Sequence, residues 1–197
     1  MKRSAGILLP VFSLPSPYGI GSLGSGARRF ADFLQEAGQS WWQILPVGPT
    51  GHSNSPYTSE STLAGNPFFI DLELLAEDGL LTAEELETAR VPESDQIDYD
   101  ELKKSREALL RTAFSRVDGE MAQAVRDFTE RTAWLKDYAL YRAAKQHFEN
   151  YAWFDWPDES LRRHEPDALE HWRVELAEEV AFQSCVQYWF FSQWEEL

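Results

Sequence analysis

The chain has 197 residues, of which 43% are hydrophobic, so it can bury a sizeable core and is not an extended disordered polypeptide. Its formal net charge of -15 disfavours nucleic acid and anionic membrane surfaces as partners, because both attract clusters of Lys and Arg. The single cysteine excludes an internal disulfide, as is typical of a protein in a reducing compartment. The sequence also has no apolar run of signal-peptide or membrane-spanning length, so we expect a cytoplasmic protein.

The first predicted elements form a strand–helix–strand unit. Residues 6–10 are a short apolar run ended by proline, which is typical of a strand covered on both faces in a parallel sheet. Ser25 is the expected cap of a helix whose apolar positions recur at helical spacing, and Gly38 is its expected left-handed stop. Residues 41–46 repeat the apolar run ended by proline, which predicts a second, parallel strand.

The loops that follow these strands, residues 11–25 and 47–66, should share one rim if the crossover is right-handed. They carry the rings of Tyr18, His52 and Tyr57 among hydroxyl and amide side chains. Such a surface suits a sugar, because a ring packs on the C–H face of the sugar while polar groups bond its hydroxyls. A purely structural role, in which Tyr57 packs the loop, remains open.

The rest of the chain is predicted to be mainly helical. Helices are expected at residues 72–76, 83–89, 99–114, 120–129 and 134–148. One long last helix is expected from residue 166, with large apolar side chains spaced by three or four between Phe182 and Trp194. No stop signal follows Trp194, so we expect the sequence to be the truncated start of a longer protein.

Three patterns that could carry chemistry are interpreted as structural. Gly19, Gly21 and Gly24 have the G-x-G-x-x-G spacing of a dinucleotide site, but the first strand ends well before them. The histidines and clustered acids match no metal-ligand spacing, and Cys185 has no histidine partner at motif spacing. We therefore predict no nucleotide site, no metal and no cofactor.

Four ordered motifs resemble the N-terminal portion of the 4-α-glucanotransferases, also called amylomaltases or disproportionating enzymes. They are SLPSPYGIG at 13–21, WQILPVGPTG at 42–51, SPY at 55–57 and AGNP at 64–67. Residues 134–140 and 187–194 are similar to that family as well, so the resemblance spans essentially the whole chain. It covers less than half of a family member.

The resemblance implies an α/β fold: the truncated start of a (β/α)₈ TIM barrel that carries a large, mainly helical insertion. Residues 1–70 would be the first strands and loops of the barrel, 71–165 the helical insertion, and 166–197 a long helix that leads back to the barrel. It also implies a retaining double displacement on α-1,4-glucans and maltooligosaccharides by two carboxyl groups. In the family these carboxyl groups come from later strands, so we assign no catalytic residue in this chain.

The substrate-binding residues that the resemblance implies are Tyr57, Ser55, His52 and Asn66. Tyr57 matches the tyrosine that lines the donor-side subsites, and Ser55 lies beside it. Asn66 matches a position whose expected role is loop support. His52 stands where many members have a tyrosine, which puts a secondary glucan contact there in doubt.

Two other function classes stay open at this stage. One is a carbohydrate-binding or regulatory module that keeps the aromatic rim without the enzyme, and the other is an amylase-type hydrolase. The sequence leaves the oligomeric state undetermined.

Overall fold

The computed structural model describes residues 3–51 and 53–197. Two parallel strands, β1 (Gly6–Leu8) and β2 (Trp41–Gln43), are connected by helix α1 (Ser25–Glu36). The later helices are α2 (Leu72–Glu77), α3 (Ala83–Thr88), α4 (Tyr99–Phe114), α5 (Gly119–Arg131), α6 (Leu135–His147), α7 (Glu159–Arg162), α8 (Pro166–Glu175) and α9 (Ala177–Glu196). Short 3₁₀ turns lie at Val11–Ser13, Pro67–Phe69 and Trp153–Asp155. The described part of the chain is thus α/β and mainly helical.

The strand–helix–strand unit is confirmed, including its parallel pairing. Gly6 lies opposite Trp41 and Leu8 opposite Gln43 in the register. Helix α1 ends at the predicted glycine, because Gly38 has a φ of +67° and its N–H donates to the Gln35 carbonyl at 3.0 Å. The N–H of Gln39 donates to the Leu34 carbonyl at 2.8 Å, which completes a Schellman motif.

The start of α1 differs from the prediction. Gly24 is the cap and Ser25 is the first helical residue, with no side-chain cap bond. Glycine is required because a Cβ on residue 24 would come within 2.0 Å of Asp71 Oδ2. The Asp71 carboxylate thus lies beside the N-terminus of α1. The partial positive charge of the helix N-terminus favours a negative group at this place.

The prediction that both strands are covered on two faces was wrong for this chain. The Ile7 and Trp42 side chains are half-buried, and the Trp42 ring lies 5.0 Å from the Phe30 ring of α1. On the other face Leu8 is exposed and Trp41 is 67% exposed. A single helix covers only one side of a two-stranded ribbon, so the alternate residues face solvent.

The predicted helices are confirmed, except that the long last helix is two helices. Helix α8 ends at Glu175, and the next residue, Leu176, leaves the helical region with a φ of -106° and a ψ of 26° before α9 begins at Ala177. Neither glycine nor proline stands at this break, so no local residue type announces it. The apolar face expected after Phe182 is present, with Phe182, Val186, Trp189 and Phe190 buried.

The chain divides into two compact units. The first contains the residues up to Val117 together with Trp189–Leu197, and the second contains Asp118–Tyr188. The second unit has a buried cluster around Leu140, Trp156 and Leu161, against which Leu176 and Val180 pack. The division into 1–70, 71–165 and 166–197 stays a prediction.

Candidate functional site

Tyr57 stands on a tight turn in the first unit. The Thr58 N–H donates to the Ser55 carbonyl at 3.1 Å, which closes a four-residue turn with Pro56 at the second position, where its fixed φ fits. The Tyr57 N–H also donates to Ser55 Oγ at 3.3 Å. Tyr57 as a whole residue is 73% exposed. The turn thus fixes the backbone of Tyr57 and leaves its ring available to a ligand.

The hydroxyl groups of the same loop mainly hold the loop together. Ser59 Oγ lies 2.8 Å from the Pro49 carbonyl and 2.6 Å from the Ser61 carbonyl. Ser61 Oγ accepts from the N–H groups of Leu63 and Ala64 at 3.2 and 3.1 Å. Ser and Thr side chains compete for backbone partners in turns. These hydroxyls therefore account for the shape of the loop before any sugar is present.

Asn66 closes the loop from a buried position. Its Oδ1 accepts from the Phe68 N–H at 3.0 Å and so caps the 3₁₀ turn Pro67–Phe69, while its N–H donates to the Val47 carbonyl at 2.8 Å. This geometry agrees with the loop-support role that the resemblance implied, and a direct glucan contact by Asn66 stays a prediction. Ser55 is half-buried beside Tyr57. His52 lies outside the described residues.

Tyr18 does not offer its ring to a sugar, contrary to the expectation from the sequence. The side chain is only 5% exposed, and its hydroxyl donates to Glu73 Oε1 at 3.2 Å. Burial raises the pKa of Tyr18 to about 12, and the negative charge of Glu73 adds to the shift. Tyr18 therefore ties its loop to helix α2, which leaves Tyr57 as the exposed tyrosine of the predicted pair.

A buried polar network around Asp71 was missed by the sequence analysis. The Asp71 carboxylate accepts from Ser22 Oγ at 2.6 Å and, as the cap of α2, from the Leu74 N–H at 3.1 Å. The Asp71 backbone bonds the side chain of Gln193 in α9. An aspartate before a run of apolar residues is a readable capping signal, but its two distant partners leave no mark in the local sequence.

Arg106 of helix α4 adds a buried positive charge to the same region. Its Nη1 donates to the Ile70 carbonyl at 2.9 Å. Burial lowers the pKa of Arg106 to about 10, and the negative charge of Asp71 acts in the opposite direction. The guanidinium therefore stays ionised at neutral pH, and the nearby carboxylate offsets part of the cost of burying its charge. Arg106 and Gln193 therefore both bond the backbone of the segment that follows the Tyr57 loop.

Helix α9 also packs directly on this segment. A Cβ on Gly65 would lie 2.0 Å from a ring carbon of Phe190, so the backbone at residue 65 approaches the ring as closely as a glycine permits. Phe190 is itself buried. The end of the Tyr57 loop is thus fixed by packing as well as by hydrogen bonds.

Other side chains in the described residues offer little chemistry. No group of three or more His, Cys, Asp or Glu there could hold a metal ion. Cys185 is buried, and burial raises the pKa of its thiol, so it is not an activated nucleophile. None of the helices described is long and apolar enough to cross a bilayer.

An apolar hollow of about 190 Å³ opens in the first unit. Val11, Trp42, Ile44, Trp194 and Leu197 line it. The lining offers mostly carbon atoms, so the hollow suits an apolar side chain better than a sugar.

Comparison with known proteins identifies the family. The 4-alpha-glucanotransferase family, glycoside hydrolase family 77, matches residues 9–197. The chain is 41% identical over its whole length to a 4-alpha-glucanotransferase of Streptococcus pneumoniae and 44% identical over 98% of its length to one of Thermus thermophilus. It covers 39% of the length of each of these two relatives.

A solved structure gives the same result. Amylomaltase from Streptococcus agalactiae, in complex with acarbose, matches 99% of the chain with a TM-score of 0.94 and 35% identity, while the chain covers 40% of that structure. The motif resemblance is therefore confirmed by both sequence and structure. The chain belongs to the 4-alpha-glucanotransferase family, glycoside hydrolase family 77.

Proposed function

We propose that the complete protein carrying this chain is a 4-α-glucanotransferase that moves α-1,4-glucan segments between maltodextrins. The observation that carries the proposal is the exposed Tyr57 ring on a fixed turn, in a chain that belongs to this family. The amylomaltase from Streptococcus agalactiae in complex with acarbose supports it, because that structure matches 99% of this chain. Maltooligosaccharides and α-1,4-glucans are the proposed ligands.

In this proposal Tyr57 is a substrate-binding residue. Its exposed ring would pack on the C–H face of a glucose unit, and Ser55 would lie beside the same unit. Asn66 would act mainly by fixing the end of the loop, since its Oδ1 already caps a turn. His52 remains a proposed secondary contact.

The proposed reaction is a retaining double displacement. A carboxylate attacks the anomeric carbon and forms a glycosyl ester, while a carboxylic acid protonates the departing glycosidic oxygen. A hydroxyl of a second glucan then attacks the anomeric carbon and gives its proton to the carboxylate that the acid became in the first step, while the ester bond breaks and releases the first carboxylate. We assign both carboxyl groups to parts of the protein beyond this chain, and on that basis the 197 residues alone should be inactive.

The same proposal treats β1, α1 and β2 as the beginning of a (β/α)₈ barrel. Further strands would cover the exposed side chains of Leu8 and Trp41, and an apolar side chain would fill the hollow beside Trp42. The helical insertion would span 71–165 and the return to the barrel 166–197. The net charge of -15 fits an enzyme that binds neither nucleic acid nor an anionic membrane, and the unpaired thiol of Cys185 fits a cytoplasmic location.

Incubation of the complete protein with maltotriose tests the proposal. Transfer should yield glucose and longer maltodextrins while the number of reducing ends stays constant. Steadily rising reducing ends would instead assign an amylase-type hydrolase. Binding of maltodextrin without any new product would assign a carbohydrate-binding module.

A further inference from the structure

Three large aromatic side chains are exposed together in the second unit. Tyr151, Trp153 and Phe154 are 60%, 51% and 58% exposed. The ring centroids of Trp153 and Phe154 lie 5.8 Å apart with an angle of 78° between the planes. Tyr151 precedes them in the chain, and its Cα lies within about 11 Å of that of Phe154, given at most about 3.6 Å per residue. Exposed aromatic clusters of this kind usually mark a binding surface.

The backbone under these rings is firmly held. The buried Trp156 donates from Nε1 to the Tyr151 carbonyl at 3.2 Å, and Arg162 donates from Nη1 to the Phe154 carbonyl at 3.0 Å. The Trp156 ring packs 5.5 Å from the Phe148 ring. The rings thus stand on a fixed base, so a ligand would not have to order the backbone beneath them.

The charges around the rings exclude several classes of partner. Residues 149–165 contain five acidic and two basic side chains, which disfavours phosphate groups and anionic lipid headgroups. A symmetric dimer through this surface would place the same negative patch on both sides of the contact. A neutral polyol meets no such repulsion, because its hydroxyls can donate to carboxylates while its C–H faces pack on rings.

We propose that Tyr151, Trp153 and Phe154 form a glucan-binding surface, which holds a segment of a long α-1,4-glucan by ring packing. The inference rests on the proposed function for its ligand class. The steep angle between the Trp153 and Phe154 rings suits a chain that curves, as α-1,4-glucans do. The surface favours long glucans, since a segment bound there adds to binding at the reacting end.

Native gel electrophoresis of the complete protein through gels with and without soluble amylose tests the inference. The wild-type protein should be retarded by amylose. Replacing Trp153→Ala and Phe154→Ala together should raise the apparent Kd for amylose by about tenfold, while Trp153→Tyr should keep most of the retardation. Val174→Ala, which removes an exposed apolar side chain from α8 in the same unit, is the matched control and should leave retardation unchanged.

The proposed glucan-binding surface is contradicted if amylose retards the double variant as strongly as the wild type, or if it does not retard the wild type at all. A change in oligomeric mass with unaltered retardation would assign the rings to self-association and also overturn it. If the double variant has a lower melting temperature than the wild type, the amylose retardation of the single variants Trp153→Ser and Phe154→Ser is compared with that of the wild type instead. Wild-type disproportionation of maltotriose, measured in parallel, tests the proposed function separately, because that assay does not depend on amylose retardation.

Discussion

Asp71 and Gln193 exchange two hydrogen bonds across 122 residues of sequence: the Asp71 N–H donates to Gln193 Oε1 at 2.7 Å, and Gln193 Nε2 donates to the Asp71 carbonyl at 3.1 Å. Both residues are buried, so neither group can turn to water instead. The Gln193 side chain of α9 thus satisfies both the N–H and the carbonyl of Asp71, as the backbone of a paired strand would. This contact fixes the segment that leaves the Tyr57 loop.

Replacing Gln193→Leu should therefore destabilise the protein by about 1–3 kcal/mol, because a buried N–H and a buried carbonyl lose their partners. The measurement is the midpoint of urea unfolding of the complete protein. Gln35→Leu, on the exposed face of α1, is the matched control and should leave the midpoint nearly unchanged. Equal midpoints for the two variants would contradict the structural importance of this pair.

Replacing Gly65→Ala should destabilise the protein by about 1–3 kcal/mol, since the added methyl group overlaps the Phe190 ring. Adding Phe190→Leu should recover part of this loss, because the smaller side chain makes room for the methyl group. A double-mutant cycle on unfolding free energies measures the coupling. Strictly additive effects would mean that the two residues do not meet as described.

Replacing Tyr57→Ala should weaken transition-state binding by about 1–3 kcal/mol, if the ring packs on sugar as proposed. This loss is measured as a lower kcat/KM for maltotriose. Tyr57→Phe should keep most of the activity, since the ring carries the contact. The melting temperature should stay unchanged, because the ring is exposed. An unaltered kcat/KM for Tyr57→Ala would make Tyr57 a structural residue.

The stability of the protein should fall at alkaline pH through Tyr18. Its pKa is raised by burial and by Glu73 from an ordinary 10.0 to about 12, so the folded state keeps the proton longer than the unfolded state. The stability contributed by this proton is complete below pH 10 and is lost between pH 10 and 12, at up to about 1.4 kcal/mol per pH unit.

Tyr18→Phe provides the comparison, because it cannot titrate. The unfolding free energy of the wild type should fall more steeply between pH 10 and about 12 than that of Tyr18→Phe. Parallel curves would show that the Tyr18 hydroxyl is not buried against Glu73.

Much of the local structure was readable from the sequence. The spacing of apolar residues predicted a helix at 99–114, where α4 lies, and Gly38 marked the end of α1 by its left-handed backbone. The two apolar runs ended by proline predicted the parallel strands. These features depend on residues within a few positions of one another, so the sequence alone determines them. The motifs likewise identified the family.

The tertiary structure decided which groups are buried, which are bonded and which remain exposed. Tyr18 and Tyr57 are both tyrosines in loops of the sequence. In the structure Tyr18 is buried and bonded to Glu73, whereas Tyr57 is exposed on a tight turn. The Asp71–Gln193 pair, the contact of Phe190 with Gly65 and the break at Leu176 have no local signal. Burial and partners depend on contacts between distant parts of the chain, which only folding brings together.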